Sequence, residues 1–379
     1  MSKNKKNCTD GCVPERLGKV GGQAVLEGVM MKAGDRTVTT CRKEDGSIVV
    51  NDALFSSVRK KNKLLSLPII RGVVSFIESM VLSVKTLGAS ADAMGIEDEE
   101  GKVEKWMKKH LGIRITDVVM IIGTVLGVAL SLFLFMYLPN IAAEGIDLLL
   151  SATLSVSLGV WRAVVEGVVK VIIFITYLYL VSLIPDIKRT FMYHGAEHKT
   201  IACYEAGAEL TPENAKEYKR FHPRCGTSFM FFMILLGIVV GIVIRYFLPE
   251  GFSTAAYTGI RLLVLPLVMG IGYEYLMYAG KHNNVITRMF SAPGLWVQRI
   301  TTKEPTADML EIAIISTKCA LRDVHPEFME FYNERSWGEL IVASEKNKEQ
   351  AEAAEVTPEA EGEQATSIEN EAQNSEGEA

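Results

Sequence analysis

The sequence lacks the short motifs by which several large enzyme classes are identified. It contains no P-loop, no glycine-rich dinucleotide fingerprint and no serine elbow, which argues against a P-loop nucleotide enzyme, a dinucleotide-dependent dehydrogenase and an α/β-hydrolase. Its six cysteines are scattered over 379 residues, so the disulfide framework of a small secreted protein is excluded. The start, MSKNKKNCTD, has no apolar core, and we therefore expect no cleaved signal peptide.

Positive charge is also in short supply, and it is not concentrated in one place. The formal net charge is −5, yet residues 349–379 alone hold ten glutamates and no Lys, Arg or Asp. The rest of the chain therefore carries a modest excess of about five positive charges, which gives no reason to expect nucleic-acid binding. The acidic tail, 345–379, has no aromatic residue and is predicted to be disordered.

Apolar residues are abundant, at 49% of the chain, and they are concentrated in long blocks. A helix needs about 20 predominantly apolar residues to cross a bilayer, and four segments reach that length. They are 117–138, 164–184, 229–248 and 261–280. Because backbone polar groups within lipid must be satisfied internally, these segments should be helices. The sequence thus predicts a mainly α, polytopic membrane protein, with a four-helix transmembrane region over 117–280.

The distribution of Lys and Arg predicts the orientation of these helices. Basic flanks precede the first and third helices and follow the second and fourth, whereas the connections 139–160 and 249–259 contain no Lys or Arg. By the positive-inside rule, both termini and the connection 185–228 should be cytoplasmic. The expected location is the cytoplasmic membrane, which the chain should cross several times.

A further apolar segment, 67–91, carries Arg71, Glu78 and Lys85 at seven-residue intervals. That spacing places the three charges near one face of a helix. We interpret it as an amphipathic helix that lies on the membrane surface or re-enters it, in preference to a fifth spanning helix.

The remaining segments are predicted to be cytoplasmic. After a flexible basic N-terminus, 1–17, the segment 18–60 should form a small β element, since Asp45-Gly46 separates TVTTCR from SIVV in the manner of a hairpin. The segment 281–335 should contain an amphipathic helix that begins at Thr306 and places Met309, Leu310, Ile312, Ala313 and Ile315 in a core.

The most informative polar stretch is YHGAEHK within 185–228. His194 and His198 are four residues apart, so on a helix their rings project from one face and could both bind a transition metal. Glu197 lies beside the second histidine, where a carboxylate could act as a general base. The order H-x-x-E-H is that of the inverted zincins. An ordinary solvated helix face remains the alternative for such a short pattern.

The same connection supplies further ligands in FHPRCGTSF, namely His222 and Cys225. Imidazole and thiolate are the ligands that zinc prefers, so zinc is the expected ion. Four protein ligands would close a structural site, whereas catalysis needs an open position. A catalytic site would combine His194 and His198 with one further ligand, for which the candidates are His222, Cys225, Glu205 and Glu274.

Five longer stretches resemble the bacterial YqhQ-like family of membrane proteins of unknown function. They are GGQAVLEGVMM, RGVVSFIESM, YHGAEHKTI-x-CYE, FHPRCGTSFMF and RLLVLPLVMGIGYEY. The resemblance spans about residues 18–322. It implies a predicted metal-dependent enzyme and marks His194, Glu197, His198, His222 and Cys225, but it implies no substrate.

Three functional hypotheses follow. The first is a metal-dependent hydrolase at the cytoplasmic membrane face, with Glu197 as the base and a lipid-linked or membrane-peptide substrate. The second is a non-enzymatic scaffold or assembly factor, in which a closed zinc site makes the connection rigid. The third and weakest is a transporter that uses Glu274 and would have to oligomerise, because four helices are few for transport. The membrane lipid is the one partner common to all three.

Overall fold

The structure is a computed structural model in which residues 13–60, 62–94, 115–159, 161–249, 252–281 and 284–333 are described. Within these ranges a small β-sheet precedes a series of helices. The acidic tail, predicted to be disordered, and residues 1–12 of the predicted flexible N-terminus lie outside the described residues.

The N-terminal part is an antiparallel sheet with the strand order β1-β2-β3-β4. The strands are β1 (Val20–Val25), β2 (Gly28–Ala33), β3 (Arg36–Arg42) and β4 (Ile48–Leu54). The predicted hairpin is confirmed, because Arg42 pairs with Ile48 and the intervening Gly46 has a φ of +84°, which favours glycine. The β element is larger than this hairpin, since two further strands extend it.

The helices account for most of the chain. They are α1 (Ile70–Ala93), α2 (Ile115–Leu132), α3 (Leu138–Leu154), α4 (Trp161–Val181), α5 (Pro185–Glu205), α6 (Pro212–Lys216), α7 (Gly226–Phe247), α8 (Thr254–Lys281), α9 (Val285–Thr301), α10 (Ala307–Leu321) and α11 (Pro326–Asn333). Within the part of the chain that the structure describes, five helical stretches are long and apolar enough to cross a membrane. They are α1, the continuous stretch Ile121–Leu154, α4, α7 and α8. The predicted count of four is therefore not confirmed, because α1 also qualifies by length and composition.

The first spanning segment continues further than predicted. The sequence suggested a connection from residue 139, but α2 runs through a π-helical turn, Phe133–Tyr137, directly into α3. Pro139 lies in the first turn of α3, directly after the π-helical turn. At that position the missing N–H of proline does not break the hydrogen-bond pattern of the α-helix. The connection to α4 is consequently short.

Helix α10 forms the centre of the soluble part. Thr306 caps it as predicted, since its side chain accepts a hydrogen bond from the N–H of Met309. The helix packs against β2, β3 and α5, and the hydroxyl of Ser316 donates to the carbonyl of Val38 at 2.7 Å. The predicted core positions are all buried, but so are most of the others, and α10 is thus a buried helix and not an amphipathic surface helix.

Helix α1 has two different faces. On one face, Ser83 donates to Gln23 of β1 at 2.6 Å, Thr86 accepts from the same Gln23, and Glu78 accepts from Ser57 at 2.8 Å. The other face is exposed and apolar. It includes Phe76, Ile77, Met80, Val81 and Leu87. The polar face therefore contacts β1 and the segment that follows β4, while the apolar face points away from them.

Candidate metal centre

The histidine pair lies on α5. Pro185 is the first residue of this helix, a position at which its missing N–H costs no hydrogen bond within the helix. Most of the second half of this helix is buried between the sheet and α10. Gly195 permits a very close approach to the segment after α9, because a Cβ at this position would lie 2.0 Å from the carbonyl oxygen of Lys303. The helix and that segment are thus held together directly beside His194.

Three potential metal ligands meet at one point. Ligand atoms of His194, His198 and Cys225 all lie within 4.8 Å of one another. The Nε2 atom of His194 is 3.2 Å from the Sγ atom of Cys225, and the two imidazole rings are 4.4 Å apart between centroids. The i, i+4 geometry expected from the sequence is present, and a residue from the start of α7 joins it.

Backbone carbonyls hold both imidazoles from behind. The Nδ1–H of His194 donates to the carbonyl of Thr301 at 2.9 Å, and the Nδ1–H of His198 donates to the carbonyl of Arg220 at 2.6 Å. Such contacts place the single ring proton of a neutral imidazole on Nδ1, as is usual for histidines that bind a metal through Nε2. Each ring, when it is neutral, therefore presents the lone pair of Nε2 to the cluster.

Cys225 lies where a thiolate is favoured. It is the N-cap of α7 and accepts a hydrogen bond from the N–H of Thr227, so the partial positive charge of the helix start acts on the sulfur. Burial raises the pKa of the thiol, but the neighbouring His198 and His194 outweigh it and bring the pKa well below its usual value.

The state of His194 is coupled to that of the cysteine. Burial lowers the pKa of this imidazole, whereas the hydrogen bond and charge of Cys225 raise it more, to about 9. The two shifts together favour a thiolate and an imidazolium for this pair in the absence of a metal. A metal ion would replace one proton at this position.

Glu197 lies next to the cluster and is buried. Its Oε2 atom has no hydrogen-bond partner among the residues that the structure describes, and the backbone of Gly22 donates to the carboxylate. Burial raises its pKa above the ordinary value of a glutamate, partly offset by the two histidines. A bare carboxylate oxygen in a buried site is costly, and it indicates that something polar is meant to face it.

His222 and Glu205 form a separate pair beside this cluster. The Nε2 atom of His222 lies 3.6 Å from Glu205, which also binds Arg224 and the N–H of Gly18. Burial lowers the pKa of His222, while the hydrogen bond from His222 and the charge of Arg224 overcome burial to lower that of Glu205. The rings of His198 and His222 are nevertheless only 5.6 Å apart between centroids.

The structure places Glu274 in a different environment. It accepts a hydrogen bond from Arg71 of α1 at 2.7 Å and another from the N–H of Ile69 at 3.3 Å. The intramembrane carboxylate thus has an arginine as its partner, and it is not one of the three residues that meet at the cluster.

Several residues of the site could not be found in the sequence. The carbonyls of Thr301 and Arg220 have no side-chain signature, and they lie far from the histidines along the chain. Gly22 was visible only as part of a glycine pair. Gln298, whose amide bridges the backbone of His222 and the hydroxyl of Ser228, also carried no local signal.

Comparison with known proteins adds a family but no activity. The family described as "Protein of unknown function (DUF1385)" matches residues 67–323. The chain is 36% identical over 308 residues to "Uncharacterized protein YqhQ" of Bacillus subtilis (strain 168), which covers 80% of this chain and 92% of the relative. No solved structure matches.

Proposed function

We propose that this chain, which belongs to the DUF1385 family of proteins of unknown function, is a metal-dependent membrane enzyme, most simply a hydrolase. In the proposal His194, His198 and Cys225 bind a divalent transition metal, with zinc favoured by two imidazoles and a thiolate. The observation that carries it is the convergence of these three donors, with both Nδ1 atoms already engaged by backbone carbonyls.

The number of donors favours catalysis over a purely structural site. Three protein ligands leave a position of a tetrahedral ion open, and catalytic zinc sites have this arrangement. His222, the fourth candidate ligand, is engaged by Glu205 and Arg224 instead. A zinc-type ion would supply Lewis-acid polarisation of a carbonyl or phosphoryl oxygen.

Glu197 is the proposed general base. Its unpartnered Oε2 would accept the proton of an attacking water, and the protonated carboxyl would return that proton to the leaving group. The raised pKa supports this role, because a base whose pKa lies closer to neutrality transfers protons in both directions more readily.

The proposed membrane arrangement has four spanning helices and α1 on the membrane surface. A helix bonded to β1 through Ser83 and Thr86, and to Ser57 after β4 through Glu78, follows a polar surface over about 12 Å at 1.5 Å per residue. Its exposed apolar face would then enter the lipid. The basic flanks support a cytoplasmic position for the sheet, the metal centre and both termini in a bacterial cell. A lipid-linked or membrane-peptide substrate would suit that position.

A structural zinc site is the second candidate, and the short distance between the rings of His198 and His222 favours it. A change of rotamer could bring His222 into the coordination sphere, closing it with four ligands. The protein would then be a scaffold or assembly factor without turnover.

Metal content of single variants separates the two functions. His194→Ala should abolish zinc binding in both cases. His222→Ala should retain about one ion per chain if three ligands suffice, and should lose it if the site is closed. Cys203→Ser, a buried cysteine of α5 outside the cluster, is the matched control and should retain the ion.

The role of Glu197 has its own test. Glu197→Gln should keep the metal and fail to rescue a strain in which the gene is deleted. If this variant binds metal normally and rescues fully, Glu197 is not the base.

A further inference from the structure

A groove lies between the C-terminal end of α4 and the segment around the end of α9 that leads to α10. Its volume is about 340 Å³. It is lined by Tyr179, Ser182, Leu183, Lys188, Ile300 and Lys303. Two of these six residues are lysines, and none is a carboxylate.

Neither lysine is neutralised by a carboxylate among the residues that the structure describes. The ammonium groups of Lys188 and Lys303 have no ion-pair partner among the described residues, whereas Lys199 and Arg220 nearby share Glu304, and Arg189 pairs with Glu27. Most basic side chains of this region are therefore used within the protein, and the two that line the groove are available to an anion.

The groove opens at a position suited to the membrane interface. Tyr179 at the end of α4 is 56% exposed, and Trp296 on α9 is 70% exposed. Tyrosine and tryptophan are enriched at the level of lipid headgroups, where their rings meet both water and acyl chains. Leu183 and Ile184 beside them are also exposed, at 60% and 49%. The combination of exposed aliphatic and aromatic groups with two free ammonium groups matches a lipid that carries a phosphate.

One short segment connects this groove to the metal centre. Ile300 and Lys303 line the groove, while the carbonyl of Thr301 between them accepts the hydrogen bond of His194. The N–H of Lys303 also donates to the carbonyl of Phe191 on α5 at 2.8 Å. A ligand in the groove would thus contact the same segment, residues 300–303, that orients His194 of the cluster.

We propose that the groove binds the phosphate group of an anionic lipid, with Lys188 and Lys303 on the phosphate and Leu183 and Ile300 on the adjoining apolar part. This proposal depends on the proposed function in one respect only, which is that the bound lipid would represent the substrate class of the metal centre. Binding itself requires no metal.

The test is a titration of the full chain, in a neutral detergent, with dihexanoyl phosphatidic acid. Dihexanoyl phosphatidylcholine has the same chains without net charge, and inorganic phosphate has the charge without chains. We expect the phosphatidic acid to bind at least about tenfold more tightly than either, a difference of about 1.4 kcal/mol. If inorganic phosphate binds equally well, the lipid is not the ligand and the proposal fails.

Paired variants assign the binding to the groove. Lys188→Gln with Lys303→Gln should weaken phosphatidic acid binding at least about tenfold. Replacing both lysines by Arg should preserve the binding of phosphatidic acid. That result would also show that the double Arg variant folds. Lys19→Gln with Lys216→Gln removes two exposed charges elsewhere and should have no effect. Equal losses in the two Gln pairs, or no loss in either, would overturn the assignment.

A repeat on His194→Ala protein separates this proposal from that of the metal enzyme. Retained lipid binding in this variant is the expected result, because binding in the groove requires no metal, and its loss would contradict the proposal. If the wild-type chain also takes up no metal, retained lipid binding leaves the groove standing and removes only its link to catalysis. Loss of the lysine dependence in a protein that does bind zinc would remove the groove and leave the metal centre standing.

Discussion

Two buried polar clusters in this protein differ in how their charges are balanced. Between α4 and α8, Glu166 receives the ammonium of Lys170 at 3.5 Å, the guanidinium of Arg261 and the hydroxyl of Tyr257 at 3.4 Å. At the end of α5, by contrast, Glu197 forms no ion pair with a lysine or arginine among the described residues, and one of its oxygens has no partner there.

The difference shows which cluster is complete. Charges within an apolar region are tolerated when they are paired and hydrogen-bonded, and the Glu166 cluster satisfies that condition with its own side chains. The cluster of His194, His198 and Cys225 brings three donor atoms within 4.8 Å of one another. The first cluster is satisfied by the protein's own side chains, and the role that we propose for the second is to bind an ion.

The largest expected effect breaks the complete cluster. Glu166→Gln should lower the free energy of unfolding by about 3–5 kcal/mol, because Lys170 and Arg261 would be left buried without a counter-charge. Thermal unfolding in detergent would measure it. Glu144→Gln is the matched control, since its pair with Arg162 is half exposed and should contribute under about 1 kcal/mol. Equal effects of the two substitutions would contradict the account.

The next effect concerns the incomplete cluster. Cys225→Ser should reduce zinc affinity by at least about 100-fold, some 2.7 kcal/mol, because a directly bound ligand should matter at least as much as its outer-shell partners. Chelator competition on purified protein would measure the affinity. Cys203→Ser should retain the wild-type value, and a similar loss in both variants would point to general unfolding instead of ligand removal.

The pH dependence of zinc binding should be smaller and of defined sign. In the absence of a metal, the raised pKa of His194, about 9, and the lowered pKa of Cys225 favour an imidazolium and a thiolate. Binding must therefore release one proton, and affinity should rise about tenfold per pH unit up to about pH 9 before levelling off. Titrations in buffers of different ionisation enthalpy count the protons. Release of none, or of two, would show that the pair is not thiolate and imidazolium.

The smallest effect sharpens the contrast between the two carboxylates. Glu197→Gln in metal-free protein should change the free energy of unfolding by less than about 1 kcal/mol, because no lysine or arginine among the described residues loses its partner and His194 keeps its contact with Cys225. Thermal unfolding next to Glu166→Gln compares them directly. A loss as large as that of Glu166→Gln would mean that Glu197 is already satisfied.

Local signals predicted local structure well. The Asp45-Gly46 hairpin, the start of α10 at Thr306 and the i, i+4 histidines on α5 all depend on residues that are close in sequence. The continuation of α2 into α3 was missed. The absence of Lys and Arg after residue 138 indicates on which side of the membrane the segment is expected to lie, but it does not indicate where the helix ends.

Contacts across the chain could not be predicted in the same way. The histidine–cysteine set could be guessed from residue chemistry, but the pairing of His222 with Glu205 could not. Nor could the pairing of Glu274 with Arg71, since both depend on how separate helices meet. The carbonyls that orient the imidazoles belong to Thr301 and Arg220, and backbone groups leave no trace in composition.

The most direct test of the account is the metal content of the purified wild-type chain, measured by elemental analysis together with X-ray absorption at the metal edge. We predict about one transition-metal ion per chain, bound by two nitrogen atoms, one sulfur atom and, in the fourth position, one oxygen atom. Protein that contains no transition metal and takes up none when zinc, manganese or iron is added would contradict it.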